Sequence, residues 1–318
     1  MNATKKAPET LLEAVQYFAD RDTALEFVAA LRWPDGPTCP DCGAPEPSFL
    51  KTRGIWKCRS CKRQFSVKVG TIFEDSPISL SKWLPAMWLL ANCKNGISSY
   101  ELARALGVTQ KTAWFMLHRI RLAMQSEGFG PFDGEVEVDE TFIGGKARNM
   151  HREKRERVIK GSTGTIGKVA VMGLLERNAP EGSQVRLRIV PNTRRHNLQP
   201  HVTEHVIPGA TIHSDALASY AGLDRQYIHN VIDHAERYAE GNVHTNGLEN
   251  FWSLLKRGVR GTYVSIEPFH LFRYLDEQAF RFNTRKDDDR GRFMSVVRSI
   301  VGKRVTFEHL TGKDLCTT

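Results

Sequence analysis

The chain has 318 residues, 41% hydrophobic, 25% charged and 9% aromatic, with 45 Lys and Arg against 36 Asp and Glu. This composition excludes a fibre or a disordered tail, and at roughly 100 to 200 residues per domain it implies two or three domains, each with its own core. No apolar run approaches the roughly 18 to 20 residues of a membrane span, and the opening MNATKKAPETLLEAVQYF lacks the order of a signal peptide, so a cytoplasmic protein without a membrane partner is expected.

A formal net charge of +9 favours an anionic partner, with nucleic acid first, provided the charges cluster. Between residues 8 and 31, Leu11, Leu12, Val15, Phe18, Leu25, Phe27, Val28 and Leu31 predict two short amphipathic helices broken around Asp20 to Asp22. The pattern stops at RWPDGP. Residues 39–71 then carry turn residues and short β-rich runs, as in a small irregular module.

In that module Cys39-Pro40-Asp41-Cys42 and Cys58-Arg59-Ser60-Cys61 form two C-x2-C knuckles separated by 15 residues. Each knuckle can aim two thiolates at one ion, and together they complete the closed tetrahedron of a structural Zn²⁺. A redox pair or incidental thiols are the alternatives. Cys93 and Cys316 have no partner at ligand spacing and read as plain thiols. Lys51, Arg53, Lys57, Arg59, Lys62, Arg63 and Lys68 surround the second knuckle with no acid between Pro47 and Phe73. Interleaved with Trp56 and Phe65, they read as a face for DNA phosphates or as a solvated basic face.

Helices are predicted over 81–92, 98–106 and 109 to about 125. The second starts at Ser98 and ends at Gly107, and the third starts at Thr109. This is a helix-turn-helix pattern, with Gln110, Lys111 and His118 near the outer face of the second helix of the pair, although such pairs also occur in proteins that never touch DNA. After Gly128, Gly130, Pro131 and Gly134 the pattern changes. Strands are predicted over 135–142, 166–175, 184–190, 210–213 and 227–232, with helices over 197–205 and 245–256. The charged clusters 151–157 and 285–292, including Asp287-Asp288-Asp289, read as loops and solvated turns. The expected domains are an N-terminal helical segment (1–37), a zinc ribbon (38–75), a helix-turn-helix-like segment (76–128) and a mixed α/β domain (129–318).

Alternation in EVEVDETF puts Glu135, Glu137 and Asp139 on one face of a strand and Val136, Val138 and Glu140 on the other. Asp215 follows the apolar run Ala210-Thr211-Ile212, and Glu249 lies on a helix whose Leu248, Phe251, Trp252 and Leu255 face a core. Three carboxylates on separate elements can converge on hard divalent cations. Lys256, seven residues after Glu249, falls two turns along the same face, about 10.5 Å away, where it can hold a phosphate. Singly, each acid has a plainer reading: Asn246 with Glu249 as a capping box, Asp215 as an N-cap, Asp139 as a surface strand residue. His213, His244 and His270 read as structural or DNA-facing, because two-metal phosphoryl transfer needs no protein base.

Asp139 in VEVDETFIGGK, Asp215 in HSDALASY and Glu249 in HTNGLENFWSLLKRGVRGTY resemble the Asp, Asp, Glu triad of ribonuclease H-like insertion-sequence transposases. FHLFRYLDEQAFRFNTR is similar to the tail of that domain, and RWPDGPTCPDCG with WKCRSCKRQFSVKVGTIFEDSPISLSKW resembles the zinc-ribbon front of the ISXO-type group. The resemblance covers nearly the whole chain. It implies a multidomain α+β protein whose five-stranded mixed sheet carries Asp139 on its first strand and Asp215 after its fourth, with Glu249 on a following helix. It also implies two Mg²⁺ or Mn²⁺ ions on these acids beside one structural Zn²⁺, cleavage of double-stranded DNA at transposon ends by water, and attack of the free 3′-hydroxyl on target DNA. Lys256 and Arg257, with Lys111 and the ribbon's Lys57, Arg59, Lys62 and Arg63, are the expected DNA contacts. Arg148, Arg152, Lys154, Arg155 and Lys160, around Asn149-Met150-His151, also look family-like. Synapsis of two ends implies a homo-oligomer. A non-enzymatic DNA-binding regulator and a nuclease without a joining step are the rival functions.

Overall fold

Asp20 ends one helix and starts the next: its Oδ2 accepts the Thr23 N–H at 2.7 Å, which caps α2 (Arg21–Arg32) directly behind α1 (Leu11–Ala19). The computed structural model describes residues 8–125, 130–144, 152–153, 156, 167–180, 182–215, 218–232 and 244–312. These fall into two compact units, one within Met1–Gln125 together with Asp287–Thr318, the other within Ser126–Lys286.

In the first unit, β1 (Ser48–Leu50), β2 (Ile55–Lys57) and β3 (Gln64–Phe65) form an antiparallel meander whose register sets Phe49 opposite Trp56 and Trp56 opposite Phe65. α3 (Leu80–Asn92) is buried along most of its length, with Trp83, Leu84, Met87, Trp88 and Leu90 at its core. α4 (Ser99–Leu106) opens on a reciprocal capping box between Ser98 and Glu101 and closes on Gly107, which is left-handed at φ 60°. Thr109 then caps α5 (Gln110–Ala123).

The two capped helices joined at Gly107 are thus present as predicted, but α5 is not the exposed helix the sequence suggested. From Met116 to Met124 it is buried, and His118, expected on the outer face, is wholly inaccessible. The inner face of α5 packs on α3 and α4, and the far end of the chain adds a further cover. Val305 and Leu310, the latter on α10 (Phe307–Thr311), pack with Leu122, Trp114 and Phe115 into a local core.

A second difference concerns residues 285–292, read as a loop, and the single domain expected from 129 to 318. Asp288 accepts the Gly291 N–H at 2.6 Å and starts α9 (Asp289–Arg298). α9 belongs to the first unit because Phe293, fully buried, meets the rings of Trp88, Phe18 and Phe27 at centroid distances of 4.9, 5.9 and 6.2 Å. Aromatic burial of this size outweighs the charge of the preceding residues.

The second unit is a five-stranded mixed sheet in the order β6-β5-β4-β7-β8. Its strands are β4 (Glu135–Ile143), β5 (Val169–Glu176), β6 (Gln184–Val190), β7 (Thr211–Asp215) and β8 (Ile228–Ile232). β5 runs antiparallel to β4 and β6, while β4, β7 and β8 are parallel. α6 (Arg195–His205) covers one face through Leu198 and Val202, against Val136, Val138, Met172, Leu174 and Ile212. α7 (Asn246–Gly258) and α8 (Leu271–Asn283) cover the other through Leu248, Phe251, Trp252, Leu255, Leu271 and Leu275, against Val171, Leu175 and Val185. The alternation that split Val136 and Val138 from Glu137 and Asp139 therefore directs the acids to the α7 side.

Candidate catalytic site and metal centres

The four ribbon sulfurs are already gathered. All lie within 4.8 Å of one another, with Cys39 Sγ to Cys61 Sγ at 3.7 Å and Cys42 Sγ to Cys58 Sγ at 3.6 Å. A tetrahedron with Zn–S bonds of about 2.3 Å has edges of about 3.8 Å, so the spacing and the all-thiolate donor set fit one Zn²⁺ with no open position. The Cys61 N–H donates to Cys58 Sγ and draws that thiol down to about 6, toward the thiolate a metal requires.

The acids converge differently. β4 and β7 pair in parallel with Val138 opposite Ser214, so Asp139 and Asp215 come level on neighbouring strands. Glu249 lies in the first turn of α7. Asp139's carboxyl is pushed above the usual carboxylate range by burial first, and by the charges of Asp215 and Glu249, while the Glu140 N–H and Trp252 pull the other way. Asp139, whose ionisation the other two acids oppose, forms with them an open oxygen-ligand set, without a tight cluster of donors among the described residues. A divalent cation would relieve that repulsion, so this set fits a hard metal ion. Glu140, on the opposite face of β4, is pushed up to about 8 by burial and by Asp139 and Asp215.

What holds α7 against β4 was not visible in the sequence. Asp139 pairs across the strands with Gly173. A Cβ on Gly173 would lie 2.7 Å from Trp252 and 2.8 Å from Leu248, so this glycine is what lets the helix lie directly on the sheet. Trp252 Nε1 donates to Asp139 Oδ2 at 2.9 Å, and the Glu140 N–H donates to Oδ1 at 2.8 Å.

One turn earlier, Glu137, buried to 1% exposure, accepts the Leu248 N–H on Oε2 at 2.8 Å. Thr245 is the formal N-cap and makes no side-chain cap bond, so the cap of α7 comes from the neighbouring strand rather than from Asn246 and Glu249. Arg177 Nε reaches Glu137 Oε1 at 2.7 Å, and its Nη1 reaches Glu135 at 3.2 Å. Arg177 also donates to the His244 carbonyl and, at 2.8 Å, to His244 Nδ1. His244 and His213, read as structural or DNA-facing, thus lie beside this acid and arginine group, His213 Nε2 being 3.6 Å from Glu135. Charge-assisted bonds of this buried kind are worth roughly 1.5 to 3 kcal/mol each.

Residues 131–283 match the ISXO2-like transposase domain, and residues 19–64 match a transposase zinc-ribbon domain. Both matched models describe transposases, so this chain carries an ISXO2-like transposase domain behind a transposase zinc ribbon. It is also similar to an uncharacterized protein in transposable element ISH50 of Halobacterium salinarum, 25% identical over 254 residues that cover 76% of this chain and 84% of that protein.

In this chain the ribbon cations are displayed with mostly local partners. Lys57 is exposed on β2, Arg59 bonds Ser48 Oγ, Lys62 bonds the Arg59 carbonyl, and Arg63 pairs with Asp41 at 2.7 Å. Lys111 is exposed in the first turn of α5, its Nζ 4.6 Å from the Phe307 ring centre. Lys256 and Arg257 occupy the last turn of α7, half-buried and exposed respectively. Of the basic group around Asn149 to His151, Arg152 is described and pairs with Glu156, and the rest lies outside the described residues, as does Cys316. No helix among the described residues is long and apolar enough to cross a membrane.

Proposed function

We propose that this protein is the transposase of an insertion sequence, binding the element's terminal inverted repeats and catalysing metal-dependent strand cleavage and strand transfer. The observation that carries the reading is the convergence of Asp139, Asp215 and Glu249 from β4, β7 and α7, where Asp139's carboxyl feels both of the others. These three residues would hold two Mg²⁺ or Mn²⁺ ions. Such a pair supplies activation of an attacking oxygen and stabilisation of the leaving oxygen.

The chain's own contribution is alignment. Trp252 and the Glu140 N–H take one lone pair from each oxygen of Asp139 and fix its plane, leaving the remaining lone pairs for ligation. Lys256 and Arg257, two turns beyond Glu249, hold a DNA phosphate so that the scissile bond meets the acids, and the same site serves water first and a 3′-hydroxyl second. Lys57, Arg59, Lys62, Arg63 and Lys111 bind the backbone of the ends. The zinc ribbon (38–75) and helix-turn-helix-like segment (76–128) recognise the ends, while the ribonuclease H-like sheet domain does the chemistry. Two copies or more act together, because two ends must be joined to one target.

The test uses labelled DNA carrying the flanks of the protein's own gene, with Mg²⁺ or Mn²⁺, comparing wild type with Asp215→Asn on a sequencing gel. Metal-dependent nicks at discrete ends, joined to a second DNA and absent in the variant, establish the reading. Nicks without joining identify a nuclease. Binding without cleavage in both proteins identifies a regulator.

A further inference from the structure

Glu137 and Trp252 tie β4 and α7 to each other in opposite senses. The strand's Glu137 accepts from the helix at Leu248, and the helix's Trp252 donates to the strand at Asp139. The spacings match. Leu248 and Trp252 are four residues apart on a helix, a rise of about 6 Å. Glu137 and Asp139 are two residues apart on one face of a strand, about 6.8 Å. Two bonds at matched spacing fix both the position of α7 along the strand and its rotation about its own axis, whereas one bond would leave a pivot.

Glu249 lies between the two tie points, one residue after Leu248 and three before Trp252, so its carboxylate is placed relative to Asp139 by this pair of bonds. The close approach depends on two glycines. Gly173 lies beneath Trp252 and Leu248, and a Cβ on Gly247 would come 2.8 Å from Glu137 Oε2. Arg177 backs Glu137 from the end of β5, so the acid that holds the helix is itself held.

We propose that Glu137 and Trp252 are positioning residues that set the spacing of Asp139 and Glu249 and thereby select Mg²⁺ over Mn²⁺ at the site. Mg²⁺ demands near-ideal octahedral geometry at 2.0 to 2.1 Å, and a ligand pair held at fixed separation meets that demand. Mn²⁺, larger and looser in its geometry, tolerates a pair that drifts. The inference rests on the catalytic reading above, since it assigns these residues a role toward the ions that reading requires.

The experiment compares zinc-loaded wild type, Trp252→Phe and Glu137→Gln. Trp252→Phe keeps an aromatic ring in the core but removes the donor to Asp139 together with the indole edge over Gly173, while Glu137→Gln keeps the side-chain length and an oxygen acceptor but removes the charge. Cleavage rates are measured in Mg²⁺ and in Mn²⁺. Separately and without turnover, the free Mn²⁺ signal in electron paramagnetic resonance reports binding and its displacement by Mg²⁺. Thermal melting of the metal-free proteins reports the fold.

A displacement of the order of 1 Å costs up to about 100-fold, so Mg²⁺-supported cleavage should fall by roughly 10- to 100-fold in each variant while Mn²⁺-supported cleavage falls by less than about 3-fold. Displacement of Mn²⁺ should then need about tenfold more Mg²⁺ than in wild type. Equal losses with both metals, in step with a lower melting temperature and an unchanged displacement curve, would show a structural role and overturn the proposal. If the wild type cleaves with neither metal, the catalytic reading fails first and this inference with it.

Discussion

The two candidate metal centres of this chain solve opposite problems. In the ribbon, four sulfurs stand at the edge lengths of a zinc tetrahedron, and a backbone N–H already favours the thiolate at Cys58. In the sheet unit, three carboxylates come from separate elements, burial and the neighbouring charges work against the charged form of Asp139, and no tight cluster of donors forms among the described residues. A closed set of soft ligands on one short meander is a fold-building device. An open set of hard ligands, poorly stabilised without a cation, is what a site needs if substrate oxygens are to complete the coordination.

The contrast breaks most visibly at Cys58. Cys58→Ser should lose zinc and unfold the ribbon, with loss of DNA binding, because structural zinc contributes about 10 to 16 kcal/mol to small domains of this kind. Zinc content and gel-shift binding check this, and a variant with full zinc and full binding would put the thiolates outside the fold's support.

Asp215→Asn should do the reverse. Cleavage should fall by at least about 10³-fold with end binding kept, while removal of a charge beside Asp139 raises the melting temperature of the metal-free protein. Loss of activity with gain of stability separates a catalytic acid from a structural one, and calorimetry alongside the cleavage gel decides.

Gly173→Ala sharpens the sheet side of the comparison. The added methyl has no room beneath Trp252 and Leu248, so a destabilisation of about 1 to 3 kcal/mol in denaturant melts is expected. Cleavage should drop at saturating DNA while binding to ends holds.

The last effect concerns Glu140 and shows only as a pH dependence. Its folded-state value near 8 lies above that of an exposed glutamate, so between about pH 4.5 and 8 the folded chain binds a proton that the unfolded chain has released. Stability from this group therefore decreases as pH rises through that window, by about 1 kcal/mol per pH unit, and is lost above pH 8. Glu140→Gln should flatten that part of the pH–stability curve of the metal-free protein, and parallel curves for both proteins would refute the assignment.

Much of this was legible in the residues. Alternation placed Glu137 and Asp139 together on one face of β4, Asp20, Ser98, Gly107 and Thr109 marked helix ends, and 184–190 was bounded as the structure has it. Local signals of period and capping suffice for such features. Three features escaped for different reasons. α9 was obscured by the charges of 285–292, although Asp288 as a cap and Phe293, Val296 and Val297 at helical spacing were there to be read. Gly173 sat inside an apolar strand run, and an isolated glycine there signals close approach by another element. The role of Glu137 depends on Arg177 and Leu248, 40 and 111 residues away, and no local pattern reports a partner at that separation. The cover over Leu122, Trp114 and Phe115 belongs to the same class, since Val305 and Leu310 lie near the end of the chain.

The first unit is assembled from both ends of the chain, with the sheet unit inserted between them. On the ribosome this reverses the usual order in which N-terminal domains fold first. Residues 126–286 are all synthesised before Phe293 exists to fill the space among Phe18, Phe27 and Trp88. A chain terminated by frameshift or stop codon ahead of residue 287 would carry Asp139, Asp215, Glu249 and the complete zinc ribbon, yet leave that aromatic pocket open to water and Leu122, Trp114 and Phe115 of α5 without their cover.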